Sequence, residues 1–313
     1  MTIDENRLDT GDPSSEHSSS GRPWLPLAVL VVVLAVLYWL THAILGDAKL
    51  SNIEILALLG LGFCTGLLGG LIGIGGGVIT IPALSLIFGK DIHLAQAASM
   101  NVVVFIAIPA AFRHWRQGEM CTRLLKFIVP FGVVGIVAGV FVNNIVPSYG
   151  MSKIFGFFLL YVITTNILKL TGKVREQQDA ESVIDLKRGM GIGTPVGFVA
   201  GLLGIGGGLI TVPLTQTFSR LTLPRAIAIS SGLMCFTSLI GAMVRDLTLH
   251  QIVDSAGHPL QVTEALQLAV WLFPTAIAGA WIGARLTHAL PVNWIRGVFI
   301  VVLVVAAVKL LWP

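Results

Sequence analysis

A glycine-rich stretch occurs twice in this chain, and it constrains the fold more than any other feature. The first copy runs from Gly70 to Pro82 as GLIGIGGGVITIP, and the second runs from Gly201 to Pro213 as GLLGIGGGLITVP. The copies lie 131 positions apart, and the same offset aligns small residues from about residue 60 to about residue 112 without a gap. A register kept over this length indicates an internal duplication.

The composition places the chain in a membrane. Apolar residues make up 55% of it and charged residues only 12%, against about 25% charged in a soluble domain. Lipid cannot satisfy an open strand edge, so the apolar segments are predicted to be helices. The net charge of +4 therefore reflects bases in loops, and no nucleic-acid partner is predicted. The three cysteines show no paired spacing, so neither a disulfide framework nor a metal site is indicated, and no cofactor motif is present.

The order of apolar and polar segments predicts an all-α polytopic membrane protein built from two repeats. Each repeat has five helical pieces, one of which ends at a glycine break. The predicted helices are 52–72, 77–88, 94–112, 124–142 and 152–170, followed by 189–203, 208–218, 225–244, 265–283 and 292–311. The predicted segments are a disordered acidic cytoplasmic tail (1–23), an extra transmembrane helix (24–46), repeat 1 (50–171), a cytoplasmic linker (172–188) and repeat 2 (189–313).

The number of helical pieces and the distribution of bases predict the orientation. An odd number of pieces inverts the second repeat relative to the first. With the N-terminus inside, fifteen of the 20 Lys and Arg residues fall in inside segments, which agrees with the positive-inside rule. The prediction is an inner-membrane protein with a cytoplasmic N-terminus and an outside C-terminus. Both a full crossing and a re-entrant hairpin fit the short second piece of each repeat. The five outside bases are Lys49, Lys90, Lys153, Arg245 and Lys309.

The glycine breaks are the candidate substrate site. A break inside the membrane leaves backbone N–H groups without helical partners, and those of Gly76, Gly77 and Val78 are predicted to form the positive end of a short helix. Duplicated transporters hold substrate where two such breaks meet. The alternative is that the glycines only permit close packing of helices. The candidate glycines are Gly73, Gly75, Gly76, Gly77, Gly204, Gly206, Gly207 and Gly208.

Polar side chains within the apolar runs supply further candidates. The pairs Thr80/Thr211 and Ser99/Ser230 match at the repeat offset. Their hydroxyls are suitable donors to an anion, and the alternative is that they bond to their own helix or to a neighbouring one. Asn101, which is opposite a glycine in the second repeat, is the most costly to bury without a partner.

Ionisable residues contribute little to this picture. No Asp or Glu falls in the middle of an apolar run, so a carboxylate proton relay is not predicted. His42, His93 and His288 lie near the ends of runs and are interpreted as interfacial. Any proton coupling would then be carried by the substrate itself, as a protonated anion.

The duplicated motif resembles that of the TauE/SafE sulfite-exporter family of membrane transporters. The resemblance covers roughly residues 52–312, and its specific part is the pair of glycine motifs. It implies a transporter that exports small anions, with sulfite or organosulfonates as the substrates. The matching positions are Gly70, Gly73, Gly75, Gly76, Gly77 and Pro82, then Gly201, Gly204, Gly206, Gly207, Gly208 and Pro213.

Two other functions stay open at this point. An anion channel would share the glycine breaks but needs a continuous pore. A membrane-embedded enzyme would need a nucleophile with a base or a metal cluster, and no Ser/His or His/Glu constellation occurs at matched depth. The predicted partners are a small anionic substrate, accompanied in one hypothesis by protons, and the lipid bilayer.

Overall fold

A computed structural model describes residues 51–72, 75–170, 185–254, 257–286 and 292–312. These residues form ten α-helices and one 3-10 turn, with no β-strand among them. The predicted acidic tail and extra helix lie outside the described residues. The helices are α1 (Asn52–Ile72), α2 (Gly77–Leu86), α3 (Ile92–Arg116), α4 (Thr122–Ile145), α5 (Ser148–Leu170), α6 (Leu186–Leu203), α7 (Gly208–Ser219), α8 (Leu223–Thr248), α9 (Val262–Leu286) and α10 (Val292–Leu311).

The all-α prediction is confirmed, and the helices lie where the apolar runs indicated. Both glycine breaks are present, between α1 and α2 and between α6 and α7. Among the larger differences is α8, which continues to Thr248 although its predicted run ends at residue 244, just as α3 continues to Arg116 beyond a run that ends at residue 112. The charged pair Arg245 and Asp246 predicts the end of the apolar run. The helix nevertheless continues through both residues, because other helices supply their hydrogen-bond partners.

Six of the described helices are long and apolar enough to cross a membrane: α1, α3, α4, α5, α8 and α9. The short helix α2 has 10 residues and α7 has 12, which at about 1.5 Å per residue span only half of a bilayer core of about 30 Å. The two breaks therefore lie next to helices that cannot cross the hydrocarbon core by themselves.

The main helix contacts join the two halves. The most extensive interfaces are α4 with α6 and α1 with α9, and each joins the fourth helix of one half to the first helix of the other. The third helices, α3 and α8, also pack on each other, as do the fifth helices, α5 and α10. This reciprocal pairing agrees with a duplicated chain. The inversion of the second repeat relative to the first stays a prediction.

Glycines outside the breaks serve the close packing of helices. A methyl group added at Gly66 of α1 would overlap the backbone carbonyl of Ala276 on α9, and one added at Gly197 of α6 would overlap that of Gly132 on α4. Gly66 and Gly197 are equivalent at the repeat offset. Small residues of this kind let transmembrane helices approach through their backbones. The packing interpretation therefore holds for Gly66 and Gly197, and the glycines of the breaks require a separate explanation.

Candidate functional site

The two breaks have the same backbone conformation. Gly75 and Gly76 have φ angles of 80° and 74°, and the equivalent Gly206 and Gly207 have 73° and 93°. These angles lie in the left-handed region that glycine enters without steric cost. In each half the second of these two glycines directly precedes the first residue of the short helix. The motif thus encodes a specific chain reversal, and it does so twice.

The surroundings of the two turns also correspond. Gly76 lies against Thr65 of α1, and Gly207 lies against Val196 of α6, its equivalent at the repeat offset. Thr80 Oγ1 donates to Gly76 O at 3.2 Å, and the equivalent Thr211 Oγ1 donates to Gly207 O at 2.8 Å. The two threonines therefore use their protons within their own helices, and only their oxygen lone pairs remain for another partner.

The two breaks meet inside the protein. A methyl group added at Gly77, the first residue of α2, would lie 3.2 Å from the Cα of Ile205 in the second break. Met234 of α8 contacts both breaks, because its Cε faces Gly75 on one side and Gly206 on the other. All of these residues except Gly75 are buried. The described part of the first motif and the second motif therefore line a shared internal region, which we define as the break junction; Gly73 lies outside the described residues.

The paired serines lie on α3 and α8, and each is next to the first residue of a short helix. Ser99 Oγ of α3 faces Gly77, with 2.9 Å between the hydroxyl and an added methyl group there. The equivalent Ser230 Oγ of α8 donates to Gly208 O at 3.3 Å. Ser99 is fully buried, and its hydroxyl has no hydrogen-bond partner among the described residues. The break junction therefore contains a buried donor that is free to bind a ligand.

A second free hydroxyl lies beside the other break. Ser238 Oγ of α8 is buried and unpartnered among the described residues, and it faces Gly206. The sequence interpretation did not single out this serine. It lies about two helical turns after Ser230. Its position on the same side of the helix as Ser230 was the signal in the sequence that could have identified it.

The backbone donors are less available than the sequence suggested. Gly77 N–H donates to Gly75 O at 2.9 Å, so it closes the turn and does not point at a ligand. The predicted set of Gly76, Gly77 and Val78 is corrected in this respect, because the left-handed turn brings a carbonyl within reach of the first N–H of α2. The positive end of the helix dipole still faces the junction.

Asn101 has a partner that the sequence did not reveal. Its Nδ2 donates to the two carboxylate oxygens of Asp246 at 3.2 and 3.1 Å, and to Ala97 O at 3.2 Å. The structure therefore places Asn101 with a carboxylate of α8, and none of its hydrogen bonds reaches a break glycine. An amide that already serves a carboxylate is a poor donor for a second anion.

A buried polar network at the second break is the largest feature that sequence reasoning missed. Arg245 was assigned to an outside loop, yet it lies fully buried on α8. Its Nη1 donates to Gln96 Oε1 at 3.0 Å and to Asn143 Oδ1 at 2.9 Å, and its Nη2 donates to Gly201 O. Asn143 Nδ2 in turn donates to Leu202 O at 2.7 Å. Arg245 and Asn143 thus bond the last carbonyls of α6, which have no partner within a helix that ends there.

His93 belongs to the same network. It is fully buried, and its Nδ1 lies 2.9 Å from Asn143 Oδ1. His93 is therefore covered by neighbouring helices and does not face the lipid, and its interfacial depth in the membrane stays a prediction. His42 and His288 lie outside the described residues.

Comparison with known proteins identifies relatives of the chain. The family model described as "Sulfite exporter TauE/SafE" matches residues 58–310. The chain is 29% identical over 302 residues to the "Probable membrane transporter protein MamO" of Magnetospirillum gryphiswaldense, an alignment that covers 85% of this chain and 46% of that protein. It is 32% identical over 200 residues to the "Probable membrane transporter protein MJ0441" of Methanocaldococcus jannaschii, covering 60% of this chain and 70% of that protein.

A further relative covers most of its own length. The chain is 26% identical over 254 residues to the "Probable membrane transporter protein YunE" of Bacillus subtilis, covering 74% of this chain and 86% of that protein. The chain spans less than half the length of the MamO proteins that it matches. No solved structure matches the chain. The family and the relatives together indicate a membrane transporter.

Proposed function

The chain belongs to the sulfite exporter TauE/SafE family, and we propose that it transports a small anion, sulfite or an organosulfonate, which binds at the break junction. Transport of this kind makes the chain a carrier and not an enzyme. The observation that carries the proposal is the meeting of the two glycine breaks around Ser99, whose buried hydroxyl has no partner among the described residues.

The chemistry of the junction favours an anion over a cation. The first turn of α2 directs the positive end of its dipole at the junction, and the buried side chains there include the hydroxyls of Ser99 and Ser238. No Asp or Glu is among the buried side chains that the structure describes. A cation would find no compensating charge at this site, whereas an anion would find donors.

The burial of the junction favours a carrier over a channel. A channel needs a continuous pore lined by its selective groups. Ser99, Ser238 and Gly77 are buried within the described residues, as expected for an occluded site that opens to one side at a time. Saturable uptake and counterflow would support a carrier, and single-channel conductance would contradict it.

Uptake into everted membrane vesicles tests the proposed substrate. Labelled sulfite, an organosulfonate and sulfate are supplied outside, with and without a proton gradient, to vesicles with and without the protein. The proposal expects saturable uptake of sulfite or the organosulfonate only when the protein is present. No protein-dependent uptake of either would contradict it. Uptake that is independent of the proton gradient would exclude the hypothesis that the substrate carries protons.

The direction of transport depends on the orientation in the membrane. The excess of bases in the predicted inside segments supports a cytoplasmic N-terminus and an outside C-terminus in the inner membrane. Arg245 is fully buried among other helices, so it does not mark the outside face, and leaving it out of the count strengthens the bias. A reporter enzyme that is active only outside the cytoplasm, fused after Pro313, should be active. An inactive fusion that is stably inserted would reverse the assignment.

A further inference from the structure

Arg245 is a positive charge buried without a salt bridge. It is the one Lys or Arg that is buried among the described side chains, and it is fully buried. No carboxylate lies within salt-bridge distance of it among the described residues. The neighbouring Asp246 is held by Asn101 and attracts the guanidinium only from beyond that distance. A buried cation is costly unless it is paired at close range, so the absence of a salt bridge requires an explanation.

The hydrogen bonds of Arg245 do not neutralise it. Three oxygens accept from its terminal nitrogens, those of Gln96, Asn143 and Gly201, and all three are uncharged. Its Nε is buried and has no partner among the described residues. The guanidinium is therefore fixed in place by neutral acceptors, and two of its five N–H groups, the one on Nε and the second one on Nη2, take part in none of these bonds. Donors of this kind form short, strong bonds to oxyanions.

The charge lies directly at the second break. Gly201 O belongs to the last turn of α6, and a methyl group added at Gly204, the first residue of the break, would lie 2.7 Å from the Cβ of Gln96. At a break, the negative end of one helix and the positive end of the next come together, each equivalent to about half a charge. Arg245 and Asn143 cap the carbonyls at the negative end, so the positive end of α7 and the charge of Arg245 leave the second break with a net positive field.

We propose that Arg245 supplies the countercharge for the transported anion and that it selects anions with a single negative charge. The inference rests on the proposed function, because it names the group that holds the substrate in the same site. One buried positive charge is neutralised by a sulfonate or by hydrogen sulfite, whereas sulfate would leave a second charge uncompensated at membrane depth. Methanesulfonate and sulfate both have a tetrahedral sulfur and are similar in size, with a methyl group in place of one oxygen in the sulfonate, so their main difference is the charge.

The test introduces a negative charge next to Arg245 by substitution. Gln96→Glu keeps the shape of the side chain and the oxygen that accepts from Arg245 at 3.0 Å, but it adds the missing negative charge. The full chain is purified in detergent, and its unfolding temperature is measured against increasing methanesulfonate or sulfate. Gln117→Glu, at the exposed end of α3, adds the same charge away from the site and is the matched control.

The wild type should be stabilised by methanesulfonate in a saturable manner, and less by sulfate. Gln96→Glu should weaken the methanesulfonate effect by about tenfold or more, since a charge pair now competes with the ligand, while Gln117→Glu should bind as the wild type does. If Gln96→Glu binds methanesulfonate as well as the wild type, Arg245 only caps α6 and the proposal is wrong. Equal or tighter binding of sulfate by the wild type would overturn the single-charge claim even if the variant fails to fold.

Vesicle uptake tests the proposed transport separately from the proposed anion site at Arg245. Binding that depends on Gln96 together with no uptake of any anion would contradict transport and leave the anion site standing. Uptake that a folded Gln96→Glu protein retains in full would contradict the anion site and leave transport standing. A wild type that shows neither binding nor uptake would contradict both.

Discussion

The first and second glycine breaks share a backbone but differ in what surrounds it. Gly76 and Gly207 have similar left-handed conformations, and each accepts a hydrogen bond from a threonine four residues later. At the second break, Arg245 and Asn143 bond the last carbonyls of α6. At the first break, the described side chains contribute the unpartnered hydroxyl of Ser99.

The difference shows that the glycines and the charged side chain contribute different properties to the breaks. The position equivalent to Arg245 in the first half is His114, which lies at the end of α3 and pairs with Glu119 at 2.7 Å. A duplicated turn thus carries a buried charge in only one of its two copies. The glycines determine the path of the backbone in both halves, while the electrostatic character of the site depends on a single side chain in one half.

The largest effect is expected at Gly66 and Gly197, which lie at equivalent helix contacts. They test whether the helices of the two halves pack in the same way. Gly66→Ala and Gly197→Ala each place a methyl group on a backbone carbonyl of the facing helix. We expect each to lower the free energy of unfolding by about 3 kcal/mol, because a backbone carbonyl cannot rotate away as a side chain can. Thermal unfolding in detergent measures the loss.

The matched controls for this prediction are Gly60→Ala and Gly191→Ala, which are also equivalent between the halves and have nothing within 4 Å of the added methyl group. Alanine is the better helix former by about 1 kcal/mol, so the controls should be neutral or slightly stabilising. Equal stability of all four variants would contradict the packing interpretation.

A smaller effect is expected for the network that only the second break possesses. Asn143→Leu removes an acceptor of Arg245 and His93 and the donor to Leu202 O. We expect a loss of about 2 kcal/mol, because buried polar groups are left unsatisfied. Asn166→Leu is the control, since Asn166 is also buried but donates to Val162 O of its own helix. Should the two variants lose equal stability, the network does not stabilise the second break.

The two serines should separate structure from function. Ser230→Ala removes a hydrogen bond to Gly208 O and should cost about 1 kcal/mol of stability. Ser99→Ala removes no hydrogen bond within the described protein, so stability should not fall, yet anion uptake should fall severalfold. Unfolding temperature and initial uptake rate, measured on both variants, test this. Normal uptake by Ser99→Ala would exclude its hydroxyl as a substrate donor.

The smallest effect is expected at the matched threonines. Thr80→Val and Thr211→Val each remove a bond from the hydroxyl to a carbonyl four residues earlier in the same turn. Bonds of this kind add little to a helix, so each change should alter stability by about 0.5 kcal/mol or less, and by a similar amount in the two halves. A large loss of uptake in either variant would show that the threonine oxygens bind substrate.

Local signals in the sequence were enough to predict the helices and the breaks. The bounds of α1 and α10 agree with the predicted runs, because the glycine cluster ends the first run and Pro291 directly precedes the second. The left-handed turns followed from a residue type that is otherwise costly inside a helix. The duplication then gave equivalent residues equivalent surroundings, as Ser99 beside Gly77 and Ser230 beside Gly208 show.

The buried network could not be predicted in the same way. Arg245 finds its partners 149 and 102 residues earlier in the chain, at Gln96 and Asn143. The repeat gives no help, since residue 114 in the first half is a histidine with a local partner. A charged residue in a membrane protein is assigned to a loop unless its partners are known, and here the partners lie on three other helices, α3, α4 and α6.

The most direct measurement of the central claim is anion uptake by Gly76→Val and Gly207→Val, reconstituted at equal protein density with the wild type. Valine is strained at the left-handed φ angles of 74° and 93°, by about 1–2 kcal/mol or more, and its side chain would press on Thr65 or Val196. If the two breaks form one site, each variant should insert into the membrane and lose about 90% or more of the uptake. Uptake at the wild-type rate by either inserted variant would contradict a site shared by both breaks.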